Sequence, residues 1–269
     1  MKFICTQCGT QFPDSSSPPS RCPISEDERE FLGPKGQEWT TLDELRRKGF
    51  RNEITLEELN LMSIITRPEF AIGQQAYLVK TEEGNLLWDC IPFLDEETIR
   101  TIRRHGGIRA VAISHPHFYS TMNEWSAAFD APVYIHSSDK EWVMDPGDSI
   151  DFWSGETRTL MKGLTLIRLG GHFPGSTVVL WSRTADGKGV ILSGDTVHVC
   201  LDRRTVSFMY SFPNLIPLSP PVVERIADII QSYSYDRIYG GFEGRKITSN
   251  AKAAVDASVR RYVEHLETR

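Results

Sequence analysis

No stretch of this 269-residue chain reaches the roughly 18 uncharged apolar residues that span a bilayer, and the N-terminal MKFICTQCGT carries no secretory apolar region. The expectation is a cytoplasmic protein with no membrane partner. A basic excess is also lacking. Thirty Lys and Arg stand against 36 Asp and Glu, for a net charge of −6, so nothing attracts nucleic acid as the main partner. Cysteine is scarce and odd in number, at five. Two of the five form a C-x-x-C, which in a reducing compartment points to metal or redox chemistry rather than to a disulfide framework. There is no internal repeat and no long low-complexity tract. What is present is 40% apolar and 25% charged residues, enough for one large core or a main domain with a small appendage. The expected partner is a small-molecule substrate; composition leaves the oligomeric state open.

The appendage is expected over residues 1–50 and the main domain over 51–269. CTQCGTQFPDSSSPPSRCPIS gathers Cys5, Cys8 and Cys22 around a Ser/Pro-rich loop, and a second C-x-x-C is interrupted by Ser25. The pattern is that of a zinc ribbon or rubredoxin-type knuckle short of one ligand. Four thiolates close a structural Zn²⁺ site, and so small a segment has too little core to fold without a staple. Three thiolates could share zinc with a water or with a carboxylate from Glu26, Asp27 or Glu28, or the knuckle could pack without metal. WTTLDELRRKGF then offers a Thr cap and a short amphipathic helix.

From residue 52 strands and helices alternate. QQAYLVKTEEGNLLWDC reads as a hairpin across Glu83, Gly84 and Asn85. DEETIRTIRRHGG predicts a helix over 95–105, with acids in its first turn and glycines beyond its last. IRAVAIS is a buried strand that delivers His115. APVYIH and GLTLIRLGG are further strands, STVVLWSRTADGKGVILSGD a hairpin across Asp186 and Gly187, and YDRIYGG a late strand running into a loop. SPPVVERIADIIQSY is a helix with Ser219 as cap, and SNAKAAVDASVRRYVEHL closes the chain as another.

The chemical residues fall at strand ends: His115 and His117 after one strand, His172 after another in RLGGHFPGS, Asp195 after a third in ILSGDTV. Imidazoles and a carboxylate suit Zn²⁺ or Fe²⁺, and loops at strand ends let distant segments supply one ion. His105 reads as a helix C-terminal residue, His136 as a strand-end residue and His265 as solvated. His198 stands close behind Asp195, and Arg203 and Arg204 are candidates for orienting an anionic substrate.

In these residues the chain resembles the metallo-β-lactamase superfamily, whose order is a strand, H-x-H-x-D-H, G-H-x-x-G-S, G-D and a late strand ending in His. AYLV and LLWDC, SHPHFYS, APVYIH, GGHFPGS, LSGDT and IYGGFEG occur in that order over about residues 52–269. The resemblance implies an α/β fold, a four-layer αββα sandwich carrying the small N-terminal Cys knuckle. It also implies a metal site on His115, His117 and His172 with Asp195 beside them. The family's second metal site has lost its other ligands here: Tyr119 and Ser120 replace Asp and His, and Phe242 replaces the last His. One transition metal ion, Zn or Fe, is therefore expected in the main domain, with Asp195 and Tyr119 as catalytic candidates. Tyr119 is a phenol of pKa about 10 and cannot copy an aspartate at neutral pH; its side chain is expected to fill the vacant space and offer its hydroxyl to a bound water or substrate.

Three functions follow. The first is a mononuclear hydrolase of an ester, thioester or similar acyl substrate. The second is an Fe²⁺ enzyme like the superfamily's persulfide dioxygenases, using His115, His172 and Asp195 as a two-His, one-carboxylate set. The third is a catalytically silent metal-binding or interaction module.

Overall fold

The computed structural model describes residues 1–267. The chain forms two compact units, Met1–Trp153 and Ser154 onward. Among the described residues no helix is long and apolar enough to cross a membrane.

In the first unit, the cysteine segment has a sheet of its own, in the order Gln11–Asp14, Lys2–Cys5, Trp39–Thr40. The predicted short helix follows at Leu42–Arg47, and the Thr41 hydroxyl accepts from the Glu44 N–H at 3.2 Å. Next comes a seven-stranded sheet. Its order is Ile150–Trp153, Val133–His136, Ala110–Ala112, Gly84–Trp88, Gln75–Thr81, Leu61–Arg67, Arg51–Glu58. The hairpin turns one residue earlier than expected, at Glu82 and Glu83, because Thr81 pairs with Gly84. The predicted helix spans Glu96–Arg104. Asp95 caps it through the Thr98 N–H at 2.8 Å, and Arg103 and Arg104 complement the dipole at its last turn. Strands Gly84–Trp88 and Ala110–Ala112 run parallel, with Trp88 opposite Ala112. The loops that follow them, bearing Asp89 and His115, therefore leave the sheet side by side.

The second unit holds a six-stranded sheet in the order Thr157–Met161, Leu164–Arg168, Thr177–Trp181, Val190–Leu192, Arg237–Tyr239, Lys246–Ile247. The connection across Asp186 is longer than a tight hairpin turn, the strands stopping at Trp181 and resuming at Val190. Asp186 organises it by accepting from Thr184 Oγ1 at 2.8 Å and pairing with Arg237 at 2.6 Å. Val223, Ile226 and Ile230 of helix Pro220–Gln231 lie in one core with Ile191 and Ile238 of the sheet. Each such burial is worth about 1.5–3 kcal/mol. Ser219 stands at the N-cap but its side chain makes no capping bond. Pro220 and Pro221 bring no N–H to the first two positions, and the Val222 N–H donates to the Ser219 carbonyl at 3.0 Å.

Trp125 shows how the first unit is fastened. Fully buried, it donates from Nε1 to the Ile91 carbonyl at 3.1 Å, so it fills volume and satisfies a buried backbone oxygen together. Trp125→Ala should lower the unfolding free energy by about 3–5 kcal/mol. Equilibrium urea unfolding measures this, and a loss below about 1 kcal/mol would contradict the packing described.

Candidate metal centre

In the first unit the strand Ala110–Ala112 gives way to extended backbone at His115 and then to a short 3₁₀ turn, Pro116–Phe118. Two contacts from Asp89 and one from Ser114 fix this exit. The Asp89 N–H donates to the Ala112 carbonyl at 2.9 Å, and its carboxylate accepts from the Ser114 N–H at 2.7 Å. Asp89 itself sits at φ +62°, a left-handed conformation that aspartate tolerates better than most residues. Ser114 Oγ lies 2.8 Å from His115 Nδ1. With Nδ1–H donating to that hydroxyl, the lone pair stands on Nε2, the usual arrangement of a metal-binding imidazole. His115 and His117 are 1% and 2% exposed. Their rings lie 5.2 Å apart at 76°, and they offer nitrogens within 4.8 Å of each other.

His117 has a neighbour that the motifs do not announce. Glu30, from the N-terminal segment, places Oε1 3.8 Å from His117 Nδ1, and both side chains are buried. Glu30 lies two residues beyond the acids expected as donors to the cysteines, Glu26, Asp27 and Glu28. In the structure Glu26 pairs with Arg21 at 2.8 Å, Asp27 pairs with Arg29 at 2.8 Å, and Glu28 is exposed. No sequence pattern links Glu30 to a histidine so far along the chain.

The two residues in place of family ligands are tied elsewhere. The Tyr119 side chain is buried, which together with the Asp139 charge raises its pKa well above the ordinary value. Its hydroxyl donates to the Asp139 carbonyl at 3.4 Å, so the proton expected to face a bound water or substrate is directed at backbone. Ser120, at φ +45°, accepts from Gln74 Nε2 through Oγ at 2.8 Å and from the Gln11 N–H through its carbonyl at 3.0 Å. Neighbouring His136 accepts from the Ser138 N–H at 3.2 Å and packs edge-on against Trp153.

In the second unit His172 follows Gly170 and Gly171. At Gly171 the backbone has φ +85°, and a Cβ would come within 2.9 Å of Ile226 and Leu218, so only glycine fits. His172 Nδ1 lies 2.9 Å from the Tyr210 carbonyl and 3.2 Å from that of Met209. Carbonyls only accept, so Nδ1 carries the proton and the neutral ring bears its lone pair on Nε2. Asp195, 3% exposed, offers a carboxylate oxygen within 4.8 Å of a His172 nitrogen, and its Oδ1 is 3.5 Å from His198 Nδ1. Phe212 and Phe242 flank His198, at ring distances of 4.4 and 5.9 Å. Arg203 and Arg204 are exposed. The Arg203 guanidinium lies over Gly244, and Asp202 accepts from the Arg204 N–H at 2.9 Å. His105 caps its helix and His265 is exposed.

Cys5, Cys8 and Cys22 are fully buried, with sulfurs within 4.8 Å of one another. Ser25 Oγ is 3.0 Å from Cys5 Sγ, while Gln37 Nε2 donates to the same sulfur at 3.2 Å. Hydrogen bonds from Cys22 and Cys8 hold Cys5 far below the usual thiol range; burial pushes Cys8 up.

The donor chemistry of both halves fits a cation. Two imidazoles have proton positions compatible with or fixed for ligation through Nε2, and a buried carboxylate accompanies His172.

Comparison with known proteins agrees with this reading. A family model described as the metallo-beta-lactamase superfamily matches residues 71–241. Uncharacterized protein YmaE of Bacillus subtilis (strain 168) is 49% identical over 99% of this chain and 97% of its own length. The crystal structure of DIM-1 metallo-beta-lactamase aligns with a TM-score of 0.60 at 17% identity, over 81% of this chain and 99% of that one. The structure described as a peroxy diiron species of chemotaxis sensor ODP aligns with a TM-score of 0.55 at 18% identity, over 79% and 94%. The mixed sheets with few helices agree with the metallo-β-lactamase sandwich fold.

Asp89→Ala should free the Ser114 amide and lower stability by about 1.5–3 kcal/mol, the worth of a hydrogen bond to a charged group. Hydrogen exchange at Ser114, expected to rise, reads this directly. Unchanged protection would show that the carboxylate does not hold the turn.

Proposed function

Because this chain belongs to the metallo-β-lactamase superfamily, we propose that it is a metal-dependent hydrolase with one ion, acting on an ester, thioester or similar acyl substrate. His115, His117 and His172 would hold the ion, with Asp195 beside it. The observation that carries the single-ion reading is the diversion of the second ion's ligands: Tyr119 bonds to the Asp139 carbonyl and Ser120 to Gln74. When bound, a Zn²⁺ ion would act as Lewis acid and bring the pKa of its water towards 7.

The chain's own residues supply the rest. Ser114 and the Met209 and Tyr210 carbonyls orient His115 and His172. Asp195 would accept the proton from the attacking water at its carboxylate, with His198 Nδ1 standing 3.5 Å from its Oδ1. Phe212 and Phe242 give the His198 side an apolar wall suited to an acyl chain, and Arg203 and Arg204 are the cations on offer to an anionic substituent. Tyr119 acts by filling space, since its hydroxyl is engaged. Cys5, Cys8 and Cys22, whose sulfurs lie within 4.8 Å of one another, would hold a separate structural zinc. A second reading takes iron in the main site: two histidines with Asp195 form the donor set of mononuclear Fe²⁺ enzymes, and the ODP sensor, with its diiron species, has a related fold.

Elemental analysis of anaerobically purified protein, with turnover assays on activated esters and thioesters, separates the readings. One zinc in the main site with turnover supports the hydrolase; iron supports the oxygen chemistry. A main site without metal supports a silent binding module. His172→Ala should remove the main-site ion while leaving circular dichroism unchanged, since His172 stands on a loop between strands. Unaltered metal content in that variant would show that the ligand set is wrong.

A further inference from the structure

The cysteine knuckle stops at three sulfurs, and the backbone fixes where they stand. The Cys5 N–H donates to the Thr10 carbonyl at 2.9 Å and the Gly9 N–H to the Cys5 carbonyl at 2.9 Å, which closes the loop that carries Cys8. Cys22 opens the short helix Pro23–Glu26, its carbonyl accepting from the Glu26 N–H at 3.1 Å. All three side chains are fully buried, their sulfurs lie within 4.8 Å of one another, and Cys8 Sγ stands 3.6 Å from Cys22 Sγ. Among the described residues no histidine or acid adds a donor to this group. Glu26 and Asp27 are paired with Arg21 and Arg29 instead.

The polar groups bonded to the sulfurs are neutral. Ser25 Oγ is 3.0 Å from Cys5 Sγ, Gln37 Nε2 donates to it at 3.2 Å, and Thr10 Oγ1 lies 3.3 Å from Cys8 Sγ. Phe12 and Ile24 complete the buried cluster, with Trp39, Trp142 and Met144 packed against it. Structural zinc takes four donors from thiolate, imidazole or carboxylate, and a serine hydroxyl is none of these. Three thiolates on Zn²⁺ also leave a net negative charge, which is unfavourable in buried apolar surroundings. On a trivalent ion the same three thiolates are neutral. Thiolates select soft ions, and trivalent arsenic is soft, is saturated by three sulfurs and carries a lone pair where a fourth ligand would stand. We propose that Cys5, Cys8 and Cys22 form a three-coordinate site for trivalent arsenic, taken up as arsenite in place of zinc.

The uptake is an exchange without redox change. Arsenous acid, As(OH)₃, and three thiols give As(SR)₃ and three waters: three As–O bonds break, three As–S bonds form, and each thiol proton leaves with a hydroxide. Where thiolates already hold zinc, three protons from solvent take the place of the thiol protons and Zn²⁺ is released. Arsenite uptake goes beyond the structural zinc proposed for these sulfurs and needs none of the main-site histidines.

The test uses full-length protein, reduced and anaerobic, with sodium arsenite as the probe. Native mass spectrometry should show metal-free protein gaining one arsenic and losing three protons, and a chromophoric chelator should report one zinc released from each zinc-loaded chain. Arsenic-edge X-ray absorption should find three sulfurs and no oxygen. Cys22→Ser should weaken arsenite binding by more than the tenfold or so that an outer partner of a ligand is worth, while Cys90→Ser and Cys200→Ser leave it unchanged. Ser25→Cys restores the second C-x-x-C beside Cys5; with four thiolates it should hold zinc at least about tenfold more tightly and resist arsenite at concentrations that strip wild type. The wild-type absorption spectrum decides the matter if Cys22→Ser does not fold.

Arsenic held by two sulfurs and an oxygen, or lost in Cys90→Ser or Cys200→Ser, would overturn the inference, as would wild type that takes up no arsenic. Zinc that arsenite fails to displace would overturn it while leaving the structural zinc standing. Arsenic on three sulfurs in a protein that binds no zinc there would support it and remove the zinc reading instead.

Discussion

One buried hydrogen bond decides where the chemistry of the first unit stands. The Asp89 carboxylate takes the Ser114 N–H at 2.7 Å while the Asp89 N–H donates to Ala112. The two parallel strands therefore end locked together, and the chain must turn at His115. A bond to an ionised acceptor is about twice as strong as a neutral one, which suits a position where an extended histidine is followed at once by a 3₁₀ turn. The rest follows from that turn. His115 meets the Ser114 hydroxyl, His117 swings under Glu30, and Tyr119 and Ser120 are carried past the histidines to partners in the protein.

The residues at the second-ion positions are absorbed into the fold. Ser120 is an anchor for Gln74 and Gln11, and Phe242 lies tilted beside His198 in the other unit. Replacing a charged ligand that needs a cation by groups satisfied within the protein removes an electrostatic demand that metal-free protein could not meet. On the proposed reading the chain has exchanged a second ion for a less polar site.

Much of this could be read from residue order. Cap chemistry at Asp95, periodicity in 251–267 and strand-to-loop transitions at His115, His172 and Asp195 are local signals, and local hydrogen bonds decide them. The cysteine trio was legible from spacing, and Ser25, which interrupts the second C-x-x-C, stands beside Cys5. What stayed hidden depends on pairing across long separations. Glu30 is one of many acids until the fold sets it against His117. The hydroxyl of Tyr119 has no direction in sequence; the Asp139 carbonyl supplies one. Ser219 has the type of a capping residue, yet the Val222 N–H bonds to its carbonyl and not to its side chain.

The central claim is a single ion held by the three histidines. Anomalous diffraction at the zinc and iron edges, from crystals of anaerobically purified protein, tests it most directly. The account predicts one anomalous peak of one element among His115, His117 and His172, separate from any peak at the cysteines. Two peaks about 3.5–4 Å apart beside those histidines, the spacing of two-metal sites, would contradict it.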